Sequence, residues 1–398
     1  MMCAYTAACG GAQVVLLEPN RQLGRKVRIT GKGRCNVTND CDVKTLLQNI
    51  PGEGRFLYSA LSRFAPQDTM AFFEALGVPL KVERGNRVFP VSDRAHDIAD
   101  TLADALISAG VEVRQTQAKR IVIENGAVTA VDTASGRIEC RAAAVCTGGL
   151  SYPATGSTGD GLRFAKAAGH TVTPTRPSLV PLECSDPECA EMQGFSLRNV
   201  RLTVFDAAGK RVFSEQGEML FTHFGVTGPL VLSASAHMPD AGKQPYSLEI
   251  DLKPALDDKK LDARILRDFE KYHNRDFQNA LYDLAGRSMI PVLVRRSGID
   301  PTQKVHEITR EQRLGLVQLL KHFKLTATGT RPFAEAIVTA GGVSLKEITP
   351  RTMASKLVSG LYFAGEVLDL DAYTGGFNLQ IAWSTGYAAG QAVAESLY

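Results

Sequence analysis

Both ends of the chain carry the same feature, a short apolar run closed by an acid or a glycine, and this feature constrains the fold most strongly. The run GGAQVVLLE at 10–18 is a turn followed by continuous apolar residues, which is typical of a buried parallel strand. RAAAVCT at 141–147 and LYFA at 361–364 repeat the pattern, each before a glycine. Residues 171–331 instead show strands with turns and then charged helices. The sequence therefore predicts a discontinuous α/β domain interrupted by a different module.

The composition excludes several classes of protein. The 398 residues are 44% hydrophobic and 22% charged, which is typical of globular proteins and excludes disordered, collagenous and coiled-coil chains. The 45 basic and 42 acidic residues are interspersed, so that neither nucleic acid nor a membrane is favoured as a partner. No apolar run approaches the roughly 18 residues of a membrane helix, and no signal-peptide pattern is visible. We expect a cytoplasmic protein with a small-molecule substrate, and the sequence leaves its oligomeric state open.

The spacing of cysteines and histidines favours neither a disulfide framework nor a metal centre. The 8 cysteines contain no CxxC pair, and the closest two, Cys184 and Cys189, have no neighbouring ligand set. The 7 histidines form no HxH or HExxH pattern. We therefore predict no metal site.

A basic, glycine-rich segment follows the first predicted strand. LGRKVRITGKGRCNVTN at 23–39 interleaves glycines with arginines and lysines. Glycines let backbone N–H groups approach an anion and the cations add complementary charge, so the segment suits a pyrophosphate or another anion. A solvated basic loop has the same composition. Glu18 ends the first strand, where an acid commonly binds a ribose hydroxyl, although many strand-terminal glutamates bind nothing.

Two further strand ends carry glycines. TGG at 147–149 follows the second buried run, and Gly365 and Glu366 follow the third. Because the carboxyl ends of parallel strands meet at one edge of a sheet, we expect these segments to converge on one cofactor site. TGGFNLQ at 374–380 directly precedes a predicted helix, whose N–H groups would stabilise an anionic ring or a phosphate. The same Gly-Gly pair can also be only a tight turn.

Four long motifs together resemble one bacterial family. They are GRKVRITGKGRCNVTN, CTGGLSYPATGSTGDG, GEMLFTHFGVTGPLVLSAS and GLYFAGEVLDLDAYTGGFNLQIAWSTGYAAG, which cover nearly the whole chain in family order. The chain is similar to NAD(P)/FAD-dependent oxidoreductases of the BaiN/RdsA type, also described as aminoacetone-oxidase-like flavoproteins. The resemblance implies an α/β fold: a glutathione-reductase-like, FAD-binding Rossmann domain with an inserted β-barrel-like module that carries a helical subdomain. We expect the FAD domain at 1–175 and 335–398, the β-rich module at 176–254 and 325–334, and the helical subdomain at 255–324.

The resemblance also implies a set of FAD-binding residues. The first strand end would hold the adenosine ribose, and the basic segment would line the pyrophosphate and flavin. The second strand end would pass over the dinucleotide, the third would approach the ribityl chain, and the Gly-Gly helix start would lie at the isoalloxazine. The residues so assigned are Glu18, Arg25, Lys26, Thr30, Gly31, Gly33, Arg34, Cys35, Asn36, Ile121 (beside the adenine), Thr147, Gly148, Gly149, Gly365, Glu366, Gly375, Gly376, Phe377 and Asn378.

One departure from the family concerns the start of the chain. Relatives begin with a buried strand and a GxGxxG-type turn before the helix that residues 1–9 resemble. That turn supplies a phosphate contact, and its strand occupies the centre of the sheet. Either the start lies further upstream or the protein has lost this strand.

The implied reaction is hydride transfer from NADH or NADPH through FAD to an unsaturated or carbonyl small molecule, and a steroid-like substrate is among those implied. The alternatives are amine oxidation with oxygen, a flavin-binding protein with a nucleic-acid or regulatory role, and an inactive chain. No second nucleotide fingerprint is visible, so we expect NAD(P)H to bind transiently over the flavin.

Three side chains are candidates for a catalytic role. Cys35 lies in a cationic segment that would lower a thiol pKa, although packing in that segment is the simpler interpretation. His223, in LFTHFGVTG, could act as an acid or base, but a histidine within an apolar strand is more often structural. Tyr373 is expected to face the flavin.

Overall fold

The computed structural model describes residues 1–396, and the predicted domain end at residue 398 lies outside these described residues. The chain divides into two compact units. Residues 1–178, together with the described residues from 333 onward, form the first unit, and residues 179–332 form the second. Within residues 1–396, no helix is long and apolar enough to cross a membrane.

The helices and strands are numbered along the chain. The α-helices are α1 (Met2–Cys9), α2 (Arg25–Gly33), α3 (Val43–Gln48), α4 (Tyr58–Leu61), α5 (Pro66–Ala75), α6 (Ala95–Ser108), α7 (Asp160–Ala167), α8 (Glu188–Glu191), α9 (Pro229–Ser235), α10 (Asp258–Lys271), α11 (Ile290–Ser297), α12 (Arg310–Lys321) and α13 (Phe377–Glu395). The strands are β1 (Val15–Leu17), β2 (Thr38–Asn39), β3 (Leu80–Glu83), β4 (Arg87–Pro90), β5 (Glu112–Arg114), β6 (Ala118–Glu124), β7 (Ala127–Thr133), β8 (Gly136–Glu139), β9 (Ala143–Val145), β10 (Arg176–Ser178), β11 (Leu182–Cys184), β12 (Ser196–Phe205), β13 (Arg211–Thr222), β14 (Gly225–Thr227), β15 (Tyr246–Asp251), β16 (Phe323–Thr330), β17 (Val338–Ala340) and β18 (Leu361–Phe363). Single 3₁₀ turns cover Gly54–Leu57, Pro153–Thr155, Phe277–Asn279, Val305–Glu307, Leu345–Glu347 and Gly365–Val367.

The first unit contains the parallel strands that the apolar runs predicted. β1 pairs in parallel with β5, and β9 pairs in parallel with β18. The strands are shorter than predicted because only the centre of each apolar run makes ladder hydrogen bonds. Within residues 1–396, no ladder joins the two pairs. The central strand that the family resemblance implies is not among these residues.

A three-stranded antiparallel sheet, β6–β7–β8, follows β5 in the same unit. Asn125 and Gly126 connect β6 to β7 with φ angles of 51° and 76°. Two consecutive positive φ angles define the hairpin turn whose twist matches that of its strands, which is why an Asn-Gly pair is favoured there. The Asn-Gly pair therefore closes an antiparallel hairpin between β6 and β7.

The long helix α13 lies at the centre of the first unit and packs closely against α1. A Cβ on Gly390 would lie 2.6 Å from the carbonyl oxygen of Cys3, and a Cβ on Gly10 would lie 2.4 Å from Cβ of Ala394. Such distances leave no room for larger side chains, so the small residues of both helices set how closely their backbones approach.

Buried polar side chains also hold α13 to the chain that follows α2. Gln380 is fully buried; its Oε1 accepts hydrogen bonds from Thr38 Oγ1 (2.6 Å) and Thr69 Oγ1 (2.8 Å), and its Nε2 donates to the Phe64 carbonyl (3.1 Å). Trp383 is buried and donates from Nε1 to the Val37 carbonyl (3.0 Å). Because a buried polar group is costly when unpaired, these bonds fix the first turns of α13 in one position.

The second unit is a closed barrel with the strand order β11–β14–β13–β12–β15–β16. The barrel predicted from the sequence is confirmed. Its interior residues and the buried faces of α10, α11 and α12 form one apolar cluster. The predicted helical block therefore shares the core of the barrel and belongs to the same compact unit.

The contact between α1 and α13 yields a stability prediction. We expect Gly390→Ala to lower the free energy of unfolding by about 1–3 kcal/mol, because the added methyl group overpacks a full interface. Gly315 in α12 is the matched control, since a Cβ there meets nothing within 4 Å. We expect Gly315→Ala to raise stability by about 0.5–1 kcal/mol through helix propensity. Urea unfolding measures both, and a Gly390→Ala variant as stable as the parent would contradict the packing argument.

Candidate functional site

The predicted cofactor residues of the first unit lie at the ends of three of its parallel strands. Glu18 directly follows β1, residues 147–149 lie just beyond β9, and Gly365 and Glu366 open the turn after β18. In open α/β sheets, ligands bind at the carboxyl ends of strands. The candidate site is therefore built at the positions where this fold class binds its ligands.

The glycines at these strand ends are required by the backbone. Gly148 and Gly365 have φ angles of 72° and 76°, in the left-handed region that favours glycine. Gly149 is buried, and a Cβ there would lie only 2.5 Å from Thr339 Oγ1. The Gly365 N–H donates to Thr385 Oγ1 on α13 (3.0 Å). In the tripeptide 147–149, the two glycines carry no side chain, and the side chain of Thr147 is exposed.

Lys26 and Glu366 form the polar centre of the site, 340 positions apart in the sequence. Lys26 Nζ donates to Glu366 Oε2 (2.6 Å) and to Ser151 Oγ (2.7 Å). Glu366 Oε1 accepts from Ser151 Oγ (2.6 Å) and from the Thr339 N–H (2.7 Å). A carboxylate has about four acceptor positions, so Oε2 keeps one for a further hydroxyl donor.

Ser151 and Thr339 are functional neighbours that sequence reasoning missed. Ser151 follows the glycines of the second strand end by two positions, and its place in that motif could have identified it. Thr339 lies within the apolar strand β17, where nothing in the sequence distinguishes it. Only the fold brings its backbone N–H to Glu366.

Glu18 is held by one of its two carboxylate oxygens. Oε1 accepts from both the N–H (2.9 Å) and Nδ2 (2.7 Å) of Asn20. Asn20 Oδ1 in turn accepts from Arg25 (2.6 Å), so Arg25 acts on the acid through Asn20. Among the described residues, Glu18 Oε2 has no hydrogen-bond partner, and it can accept from the hydroxyls of a ribose. Asn20 was missed, although an Asn two residues beyond a strand-terminal acid is a recognisable signal.

Part of the basic segment, for which an anion site and a solvated basic loop were the two interpretations, forms a kinked helix. α2 spans Arg25–Gly33, with non-helical backbone at Thr30, Gly31 and Lys32. Gly31 has a φ of 57°, and a Cβ there would lie 3.1 Å from the Asn36 backbone N. Gly33 faces open space, since a Cβ would meet nothing within 4 Å. The kink places the backbone of Gly31 against the backbone of Asn36.

Arg34 is engaged away from the site to which it was assigned. Its guanidinium pairs with Glu83 and Asp93 and lies over the ring of Phe89, 4.2 Å from the centroid. The hydrogen bonds to Glu83 and Asp93 raise the pKa of Arg34, so the pairing favours its charged form. Its charge is thus neutralised by two carboxylates. Among the basic residues assigned to the cofactor, Lys26 contacts Glu366, whereas Arg34 contacts Glu83 and Asp93 instead.

The N-terminus of α13 begins at glycines, as predicted. Gly376 has a φ of 99°, and a Cβ there would lie 2.3 Å from the Thr38 carbonyl oxygen. The Gly375 carbonyl accepts from Asn39 Nδ2 (3.0 Å). Gly376 offers no side-chain cap, so the N–H groups of the first turn, beginning at the buried Phe377, keep their capacity to donate.

The side chain of Asn378 differs from its predicted role at the flavin ring. Asn378 Oδ1 accepts from the Ala372 N–H (2.9 Å), and Nδ2 donates to the carbonyls of Ala372 (2.7 Å) and Tyr373 (3.2 Å). Its amide is therefore committed to the preceding loop. This side chain positions the loop on α13, and only its backbone N–H remains for a ligand.

Cys35 does not have the reactive environment expected from its cationic segment. Its side chain is fully buried, and burial raises the pKa of its thiol to about 12, against a smaller lowering by a hydrogen bond with Thr30. The expectation of a lowered pKa is wrong because burial, the largest effect on this thiol, outweighs the other influences on it. At neutral pH this thiol is protonated and packs against its neighbours.

The remaining candidates are spread over the chain. His223 is exposed in the turn between β13 and β14, next to Phe224, rather than within a strand as expected. Tyr373 is half-buried, and its N–H donates to the Asn49 carbonyl (3.0 Å). Ile121 lies on β6 and packs against the apolar core of the first unit. Within residues 1–396, no group of three or more His, Cys, Asp or Glu side chains is placed to hold a metal ion.

The acceptor and donor groups left unpaired fit FAD. Asn36 Oδ1 is buried without a hydrogen-bond partner, which is unusual unless a ligand or water completes it. Glu18 Oε2 and Glu366 Oε2 keep acceptor capacity for hydroxyl groups, as the adenosine ribose and the ribityl chain would require. The N-terminus of α13 supplies positive charge for a phosphate or an anionic ring, and Lys26 holds the Glu366 carboxylate in place.

The Lys26–Glu366 pair yields a binding prediction. We expect Lys26→Gln to weaken FAD affinity about 10- to 100-fold. The substitution removes the charge-assisted hydrogen bond that holds Glu366 in place, and such a bond contributes about 1.5–3 kcal/mol. Quenching of flavin fluorescence during titration measures the dissociation constant. Lys44→Gln, an exposed position on α3, is the matched control and should bind like the parent. Equal affinity in all three proteins would remove Lys26 from the site.

The burial of Cys35 yields a reactivity prediction. Only the thiolate reacts with iodoacetamide, so a thiol with a pKa of about 12 stays unlabelled at neutral pH and begins to react only as pH rises towards that value. We expect the exposed Cys9 to be labelled in the folded protein, and Cys35 only after unfolding. Mass spectrometry of peptides measures both, and rapid labelling of Cys35 in the folded protein at neutral pH would contradict its buried state.

Comparisons with known proteins agree on one family. A family model described as HI0933-like protein Rossmann domain matches residues 1–392. The chain is 32% identical to the 3-dehydro-bile acid delta(4,6)-reductase of Clostridium scindens over 97% of this chain and 94% of that protein. It is 30% identical to the ribosomal RNA dihydrouridine synthase of Escherichia coli over 98% of this chain and 94% of that protein.

Among solved structures, a flavocytochrome c3 fumarate reductase in an open conformation aligns with a TM-score of 0.46 and 16% identity, over 99% of this chain and 76% of that one. The family match spans both units and the full set of motifs. The resemblance seen in the motifs is thereby confirmed, and the chain belongs to the HI0933-like family of FAD-binding Rossmann-domain proteins.

Proposed function

We propose that this protein is a cytoplasmic, FAD-dependent reductase that uses NADH or NADPH to reduce a carbon–carbon double bond conjugated to a carbonyl group. One observation carries the proposal. The relatives matched along 97% and 98% of the chain have names that both describe the reduction of a ring double bond, in a 3-oxo bile acid and in the uracil ring of uridine. Because two such different substrates share this chemistry, the names support the type of bond that is reduced more strongly than they support either substrate.

The reaction divides into a hydride step and a proton step. A carbonyl group makes the β carbon of its conjugated double bond electrophilic, so hydride adds there while a proton adds to the α carbon. When bound, FAD supplies the two-electron hydride chemistry between the nicotinamide and the substrate. The protein supplies binding, orientation, charge and the proton.

The residues of the site suit these roles. Glu18, with one oxygen held by Asn20, would accept the hydroxyls of the adenosine ribose. Glu366, fixed by Ser151 and Lys26, would accept a ribityl hydroxyl. The N-terminus of α13 would stabilise negative charge on the reduced ring, which increases its electron affinity.

A ribosomal RNA is the second candidate substrate. Two relatives, from Escherichia coli and Haemophilus influenzae, are named ribosomal RNA dihydrouridine synthase and match 98% and 99% of this chain at 30% identity. The bond reduced would be of the same type. The two candidates differ in whether that bond belongs to a small molecule or to a nucleotide of a ribosomal RNA. The first candidate substrate is the small molecule that the sequence analysis led us to expect.

Anaerobic spectroscopy of the FAD-loaded protein tests the proposal. We expect NADH or NADPH to bleach the flavin absorbance, and 2-cyclohexen-1-one, testosterone or unmodified ribosomal RNA to restore it with loss of the double bond. We expect aminoacetone, a probe of amine oxidation, to leave the flavin oxidised. Bleaching by aminoacetone but not by either nicotinamide would replace the proposed reductase with an amine oxidase.

A further inference from the structure

The carboxyl group of Asp371 is unusually placed for an acidic side chain. Asp371 Oδ2 accepts a hydrogen bond from Ser178 Oγ (2.8 Å), and Ser178 is fully buried on β10. β10 pairs with β17, so this contact links the loop before α13 to the strand that also carries Thr339. The carboxyl is thus built into the first unit rather than extended into solvent.

The surroundings of Asp371, burial above all, shift its pKa towards the protonated form. Burial raises the pKa of this carboxyl above its usual range, while the Ser178 hydrogen bond and the charge of Arg176 act in the opposite direction. The nearby carboxylates Asp369 and Glu366 raise the pKa further. The net effect is a carboxyl that holds its proton at pH values where an ordinary aspartate, with a pKa of about 4, has lost it.

The contacts of Asp371 place it beside both parts of the candidate site. Its partner Ser178 adjoins Pro177, which pairs with Thr339 in the β10–β17 ladder, and the Thr339 N–H donates to Glu366 (2.7 Å). Ala372, the next residue, is bound through both its N–H and its carbonyl to Asn378 in the first turn of α13. The backbone beside Asp371 is therefore fixed against the helix end assigned to the flavin ring.

We infer that Asp371 is the proton donor for the double-bond reduction, a role that rests on the proposed function. The O–H bond of its carboxyl breaks and a C–H bond forms at the α carbon, as hydride from the reduced cofactor adds to the β carbon. The substrate gains one hydride, which carries two electrons, and one proton, and the double bond becomes a single bond. The Asp371 carboxylate then takes a proton from water.

The other candidate acids of the chain suit this step less well. The Cys35 thiol is fully buried, with a pKa of about 12, and is a much weaker acid. The Tyr373 side chain is a phenol, which is an intrinsically weaker acid than a carboxyl group. His223 belongs to the barrel unit and is exposed. Asp371 is instead a carboxyl of the first unit, held by Ser178 beside the strand pair that carries Thr339, and its pKa is raised.

Separate measurements of the two half-reactions test this role. In FAD-loaded Asp371→Asn, we expect anaerobic bleaching by NADH or NADPH at the parent rate. We expect reoxidation by 2-cyclohexen-1-one or testosterone to slow about 100-fold or more, the usual contribution of a general acid. Reoxidation by ferricyanide, which needs no proton on carbon, should be unchanged. Asp104→Asn, an exposed position on α6, is the control and should match the parent throughout.

The pH profile and an infrared measurement give readouts beyond a loss of rate. Enone reoxidation by the parent should fall as pH rises through the pKa of Asp371, because the donor loses its proton. Asp371→Glu should keep this limb and Asp371→Asn should lack it. Ser178→Ala should move it to higher pH, since the Ser178 bond lowers the pKa. Infrared titration should show a protonated carboxyl band above pH about 4 that is missing from Asp371→Asn.

Each contrary result has a distinct meaning. A parent protein whose flavin is bleached but that reduces none of the probes, ribosomal RNA included, overturns the proposed function and this inference with it. A parent protein that reduces a probe, with Asp371→Asn equally fast, overturns this inference alone. Loss of enone reoxidation in Tyr373→Phe but not in Asp371→Asn assigns the proton to Tyr373. Equal slowing with enone and ferricyanide in Asp371→Asn reduces Asp371 to a structural residue.

Discussion

The carboxylate of Glu366 is the interaction on which the site depends. It joins α2, the segment after β9, strand β17 and the turn after β18, through Lys26, Ser151 and Thr339. Partly buried charges are costly unless paired, and here one carboxylate is paired with an ammonium and two neutral donors. This pairing fixes four distant segments around one point and still leaves acceptor capacity towards the ligand.

The packing of α13 places the rest of the site relative to that point. Its small residues let α1 approach closely, and Gln380 and Trp383 hold it to the chain after α2. Asn378 then ties the loop that carries Asp371 to the first turn of the same helix. A helix N-terminus, an acid and a fixed loop are therefore positioned together by one rigid element, which is what preorganised chemistry requires.

Local patterns in the sequence predicted the elements well, and long-range pairing explains most of the failures. The Asn125-Gly126 hairpin and the buried parallel strands follow from turn chemistry and hydrophobic patterning, which act over a few residues, whereas the barrel-like module was implied by the family resemblance. The family resemblance assigned Arg34 to the cofactor, and local sequence does not show its pairing with Glu83 and Asp93, which lie 49 and 59 positions away. The raised pKa of Cys35 follows from burial, which composition around a residue does not show. Asp371 was overlooked because its partner Ser178 is 193 positions distant.

The account joins these features into one chemical claim, that hydride and proton add across a conjugated double bond. The most direct measurement is NMR analysis of the product formed from 2-cyclohexen-1-one with a nicotinamide deuterated at its transferable position. The account predicts cyclohexanone with deuterium at the β carbon and a solvent-derived hydrogen at the α carbon. Deuterium at the carbonyl carbon of an allylic alcohol, or hydrogen peroxide without reduced ketone, would contradict it.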